Sequence, residues 1–182
     1  MKFFKFYKNR KRKANIIASI YLQAVKQARN KYFYENLGIP DTVDGRFDMI
    51  ILHLLLVIRK LRKRPEETLF LSQGLVDYMF DDMDRNLREM GVGDLSVGKQ
   101  VKKMAKAFYG RAEYWEDALK NSTESLKNAL MDTIYRSSTP DIEQLDTFTN
   151  YIISNDKFIK NQQISSILTG NVEFLSLHSK NN

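Results

Sequence analysis

The first amphipathic pattern covers residues 14–35, where Ile17, Ile20, Tyr21, Ala24 and Ala28 recur at helical spacing and predict one buried face. Gly38-Ile39-Pro40-Asp41 breaks it, because the proline ring pushes Ile39 out of the helical region. Asp41, Thr42 and Asp44 can each cap the helix that follows. That helix, over about 44–63, sets Phe47, Ile51, Leu54, Ile58 and Leu61 on one face. Leu52, Leu55 and Leu56 make it apolar nearly all round, which predicts a position at the centre of the fold. Its last turn is rich in Lys and Arg, which suits the negative end of the helix dipole.

Pro65-Glu66-Glu67 starts a third helix, running to about Met90 with Val76, Met79, Phe80, Met83, Leu87 and Met90 as its core stripe. Asp77, Asp81 and Asp84 line its other side, with Arg85 and Arg88 in reach for i,i+4 pairing. Gly91 is the expected left-handed stop, with Val92 folded back on Leu87. Ser96 reads as the cap of the next helix, and Gly110 within it as a kink or a close helix contact. Ser122 or Thr123 starts a helix to about Tyr135, Thr139-Pro140-Asp141 one to about Ile153, and Asn155 a last one that stops at Gly170. The tail beyond carries little pattern.

The sum is an all-α fold: one bundle of about seven or eight amphipathic helices over 14–170, between a basic aromatic segment (1–13) and a tail (171–182). Composition agrees, with only 3 Pro and 8 Gly in 182 residues. Cys is absent, which removes disulfides, thiolate chemistry and cysteine zinc sites, and two His leave little for a histidine metal site. The longest apolar stretch, Met49–Ile58 interrupted by His53, is far short of the roughly 20 residues a membrane span needs.

The net charge of +7 sits at one end. Residues 1–34 hold ten of the 29 Lys and Arg and no acid, leaving 19 basic against 22 acidic residues elsewhere. Lys2, Lys5, Lys8, Arg10, Lys11, Arg12 and Lys13 interleave with Phe3, Phe4, Phe6 and Tyr7. Such a segment fits a membrane surface, through inserted aromatics and anionic headgroups, or a ribosome, through phosphate contacts and stacking. A frayed, solubilising end fits it too. It has no apolar stretch of the secretory kind, and it is acid-free as a mitochondrial presequence is, yet the folded pattern begins too soon to leave much to cleave.

No motif carries catalysis. Gly93-Asp-Leu-Ser-Val-Gly98-Lys99-Gln100 matches most of a phosphate-binding loop, but a helix precedes it instead of a strand, and Gln100 replaces the magnesium-binding hydroxyl. Asp77, Asp81, Asp82 and Asp84 could hold Mg²⁺ as in helical prenyl-diphosphate enzymes, but no second acidic helix is present. His53 lies in the most apolar helix, without a nucleophile or base beside it, and reads as a hydrogen-bonded core residue. No catalytic residue, metal, cofactor or small-molecule substrate is expected.

Three blocks resemble a known family. They are Ala28-Arg29…Phe33-Tyr34…Gly38-Ile39-Pro40-Asp41-Thr42-Val43-Asp44-Gly45-Arg46-Phe47-Asp48…Leu52-His53, then Phe80 through Lys99, then Lys103-Met104…Ala107-Phe108-Tyr109-Gly110-Arg111…Tyr114. Together, over roughly 14–120, they are similar to the ubiquinol–cytochrome c chaperones in their alphaproteobacterial form. The resemblance implies a helical, non-enzymatic assembly factor for ubiquinol–cytochrome c reductase. It further implies binding of newly made cytochrome b, with a small assembly partner and the ribosome as further partners. The compartment implied is a bacterial cytoplasm, peripheral on the inner membrane, with the mitochondrial matrix as the other choice. Arg46, Asp48, Asp81, Asp84, Arg88, Asp94, Lys99 and Arg111 fall in the matching blocks and form a candidate protein-contact surface, or in part internal ion pairs. Met79, Met83, Met90 and Met104 suit an adaptable groove for apolar client segments and, more simply, core. A basic RNA- or ribosome-binding module and a magnesium-dependent isoprenoid diphosphate enzyme are the competing functions.

Overall fold

The computed structural model describes residues 2–177, with side-chain surroundings from Arg10 onward. Among the described residues eight helices follow one another: α1 (Lys2–Ala28), α2 (Lys31–Glu35), α3 (Val43–Leu61), α4 (Pro65–Glu89), α5 (Asp94–Asn121), α6 (Thr123–Thr133), α7 (Ile142–Asn161) and α8 (Ile164–Leu168). No strand occurs among the described residues, so the expected all-α class is the observed one.

α3 is the axis of the bundle. Every residue from Phe47 to Arg59 is buried, and α1, α4, α5 and α7 all pack on it. Each fully buried aliphatic side chain there contributes roughly 1.5–3 kcal/mol of transfer free energy. Thr42 caps the helix, its hydroxyl accepting from the Gly45 N–H at 3.0 Å. The preceding loop runs so close that a Cβ on Gly45 would lie 2.1 Å from the Pro40 carbonyl oxygen, which only glycine permits.

α4 ends as expected: Gly91 has φ +82°, its N–H bonds to the Arg88 carbonyl at 2.9 Å, and Val92 N–H reaches the Leu87 carbonyl at 3.0 Å. Other boundaries differ from the expectation. The helix predicted over 14–35 begins at Lys2, and Asn30 splits off α2 by accepting the Tyr32 N–H at 3.0 Å. Arg10–Lys13 are thus exposed side chains within α1. α5 is capped at Gly93, leaving Ser96 as its third residue. Gly110 lies in an unbroken stretch of α5 and meets no neighbour; it faces solvent, with nothing within 4 Å of where its Cβ would stand.

α7 starts from a reciprocal box in which Asp141 and Gln144 bond each other's backbone N–H groups. It then runs without a break through Asn155, which starts no helix. That residue is fully buried, and its amide donates to the Tyr151 carbonyl at 3.0 Å and accepts the Leu175 N–H at 2.8 Å.

The tail beyond Gly170 is fastened as an extended strap. Gln23 accepts from Val172 N–H at 3.1 Å, Gln27 donates to the Leu175 carbonyl at 3.1 Å, and Gln162 takes both backbone groups of Glu173. Val172 is buried, and the Phe174 ring packs edge-on against His53 with centroids 5.4 Å apart.

Candidate protein-contact surface

The eight residues singled out in the sequence fall in two different environments. Asp48 is 0% exposed at the start of α3. Its carboxylate lies 2.9 Å from Arg111 Nε of α5 and 2.5 Å from an Arg136 guanidinium nitrogen just after α6. The contact to Arg111 is an ion pair without hydrogen-bond alignment. Arg136 also donates to the Thr133 carbonyl and reaches Asp44 at 3.4 Å. Burial pushes the Asp48 carboxyl up, and the Arg136 and Arg111 guanidiniums pull it back down. Burial likewise lowers Arg111, against the pull of Asp48. Asp48 therefore cannot touch a partner; together with Arg111 it holds α3, α5 and the end of α6 in one arrangement.

Arg46, Asp81, Asp84, Arg88, Asp94 and Lys99 stand toward solvent. Arg88 grips Asp84 at 2.6 Å and also bonds Asp94, which joins the end of α4 to the start of α5. Arg46 pairs with exposed Asp41 at 2.5 Å and lies over the Tyr34 ring. Asp81 and Lys99 are exposed and join neither pair. Arg85 uses Asp82 at 3.3 Å rather than Asp81, and Asp82 also accepts from the Tyr21 hydroxyl at 2.8 Å. Among the described residues no three His, Asp or Glu converge as metal ligands.

Of the basic end, Lys2, Lys5 and Lys8 lie outside the residues whose side chains are described. Arg10, Lys11, Arg12 and Lys13 are exposed, and Lys13 sits 4.5 Å above the Phe70 ring of α4. Lys11 and Arg12 border an open recess of about 470 Å³ with Asn15, Ile16 and Thr169. The phosphate-loop lookalike does not form a loop, because α5 already begins at Asp94. The core methionine reading holds for Met79, which is fully buried, and Met83 and Met104 pack on the core, whereas Met90 is 61% exposed.

Sequence reasoning missed a second buried ion cluster. Arg59, near the end of α3, lies 3.0 Å from Asp156 of α7 and 2.5 Å from Glu116 of α5. Lys160 bonds the same Asp156, and Lys120 the same Glu116. Its members lie 57 and 97 residues from Arg59 in the chain, so no local spacing reveals them. A third polar chain runs through the core. His53 Nδ1 donates to the Met49 carbonyl at 2.7 Å, which leaves Nε2 to accept the Tyr151 hydroxyl at 2.8 Å. Tyr151 in turn accepts from Gln27 at 2.9 Å. Burial pushes His53 down to about 4 and raises Tyr151, so both are neutral at pH 7. With every ring nitrogen satisfied by structural partners, His53 is the core histidine that its surroundings in the sequence suggest.

A profile of the ubiquinol-cytochrome C chaperones matches residues 35–174. The chain belongs to that family. The match reaches beyond the resemblance over roughly 14–120, taking in α6, α7 and the strap up to Phe174. It therefore includes both buried ion clusters. Ubiquinol-cytochrome c reductase complex assembly factor 1 from Mus musculus is 23% identical over 163 residues, covering 89% of this chain and 55% of that protein. The Homo sapiens protein of the same name is 22% identical, with 89% and 54% covered. The chain thus spans about half the length of these two relatives. The crystal structure of the Cbp3 homolog from Brucella abortus superposes with a TM-score of 0.83 at 28% identity, over 97% of both chains. The family's fold is therefore shared across the whole described bundle.

Proposed function

We propose that this protein is a non-enzymatic assembly chaperone for ubiquinol–cytochrome c reductase that receives newly made cytochrome b at a membrane surface. The observation that carries the reading is the family match over 35–174, joined to relatives named as assembly factors of that complex. The geometry supports a recognition body rather than a reaction centre. The buried charges of Asp48 and Arg59, both on α3, are met by partners on α5, α7 and the turn after α6, and His53 is consumed by structural hydrogen bonds. The corner formed by Asp84, Arg88 and Asp94, with Asp81 and Lys99 beside it in the sequence, remains as the polar contact surface, and Arg46 is a second, separate patch.

No helix among the described residues is long and apolar enough to cross a membrane, so contact with the bilayer is peripheral in this reading. The exposed basic residues of α1 supply part of it, on the inner face of a bacterial cytoplasmic membrane. A photo-crosslinker at Asp81 or Asp94 during cytochrome b synthesis tests the function. Adducts with cytochrome b, and loss of assembled reductase on deleting the gene, are the expected results. A reductase that matures normally without this protein overturns the proposal.

A further inference from the structure

α5 is amphipathic in an unusual way. Its inner face buries Val97 and Phe108, with Met104 packed on the core. Its outer face over the first four turns carries Leu95, Lys99, Lys102, Lys106 and Tyr109, with Lys103 at the margin. These positions recur at intervals of three and four residues, so they form one line along the helix. All of them are exposed, and no acid occurs between Asp94 and Glu113. The lysines that form ion pairs among the described residues are Lys120, Lys127 and Lys160, not these four. The two ends of the line are apolar. Leu95 is 89% exposed and Tyr109 62%, and Met90, across the Gly91–Gly93 turn from Leu95, is 61% exposed.

We infer that this face of α5 is a lipid-contact surface that lays the bundle against an anionic bilayer. Lysine ammonium groups reach the headgroup plane from their flexible stems, while Leu95, Met90 and Tyr109 enter the interface on either side. Apolar side chains at both ends favour a bilayer over RNA, whose phosphates would use the lysines but leave Leu95 and Met90 in water. The inference deepens the membrane-surface element of the function proposed above and rests on it. It also moves the main contact from the basic start of α1 to the folded body and takes Lys99 from the protein-contact set into the lipid face, which fixes how the chaperone faces the membrane.

The test is co-sedimentation of the full chain with vesicles of phosphatidylcholine mixed with phosphatidylglycerol, against pure phosphatidylcholine. The triple variant Lys99→Glu/Lys102→Glu/Lys106→Glu is compared with Lys26→Glu/Lys31→Glu/Lys157→Glu, which changes the net charge equally on other exposed surfaces. Each lysine near an anionic surface is worth about fivefold in binding, so the α5 variant is expected to lose well over tenfold and the control far less. Leu95→Ser, which leaves the charge alone, is expected to weaken binding severalfold. Unchanged thermal melts by circular dichroism confirm that the variants fold. Equal losses in both triple variants overturn the inference, since net charge alone would then explain binding. So does an α5 variant that keeps vesicle binding and loses polyuridine binding. The assay contains no reductase, so a failure here leaves the chaperone reading standing, and a failure of that reading leaves the vesicle result unaffected.

Discussion

Two arginine–aspartate clusters with the same chemistry lie at opposite extremes of this molecule. In one, Asp48 is sealed between Arg111 and Arg136, and α3, α5 and the turn after α6 meet on it. In the other, Arg88 joins Asp84 and Asp94 in open solvent at the corner between α4 and α5. The sequence presents both as charged residues within family-like blocks. Burial divides them: a charge withdrawn from water is tolerated only while its partners stay in place, so the first cluster specifies the fold. The second is screened and replaceable, so it adds little to folding and is free to meet a partner.

Mutation can break that contrast. Asp48→Ala leaves two guanidiniums partly buried without their carboxylate and is expected to cost about 3–5 kcal/mol in urea unfolding. A loss below 1 kcal/mol would show the cluster to be wetter than its geometry indicates. The next effect is a pH dependence that belongs to the buried side. An unfolded histidine takes up a proton near 6.5, whereas His53 in the fold does so near 4. Between those values the unfolded chain binds more protons, so stability falls as pH drops through that window, by roughly 3 kcal/mol in all. His53→Asn should flatten that part of the stability profile.

Gly45→Ala sets a Cβ against the Pro40 carbonyl at the entrance to the same helix, and about 1–3 kcal/mol is expected from the displaced loop. At the exposed corner, Arg88→Ala should leave the melting temperature unchanged while reducing crosslinking to cytochrome b. A lowered melting temperature with intact crosslinking would reverse the roles assigned to the two clusters.

What could be read from the chain follows from the range of the forces involved. The all-round apolar run of α3 announces a central helix, and Pro65, Gly91, Ser122 and Asp141 mark helix ends, because periodicity and capping act within a few residues. Asn155 departs from its expected role as a helix start for the same reason. Asparagine favours a cap locally, and only the distant Leu175 N–H gives Asn155 a reason to sit inside a helix. The partnership of Asp48 with Arg136 spans 88 residues and that of Arg59 with Asp156 spans 97. Neither leaves a spacing that a single sequence can display. Asp48 is therefore open in the sequence between a contact surface and an internal ion pair, Arg59 reads only as a cation at a helix end, Arg136 carries no signal, and the exposed corner is no easier to tell from the core clusters.

The strap has a consequence for how the protein is made. Gln23 and Gln27 leave the ribosome early, yet the backbone groups they bind belong to Val172 and Leu175. Until those residues emerge, Gln23 and Gln27 lack their strap partners, and the ring of Phe174 is missing from its place against His53. The bundle can collapse around α3 during synthesis, but closing it is a late event. A chain truncated before the strap would leave Gln23 and Gln27 of α1 and Asn155 of α7 without the backbone that fastens across them.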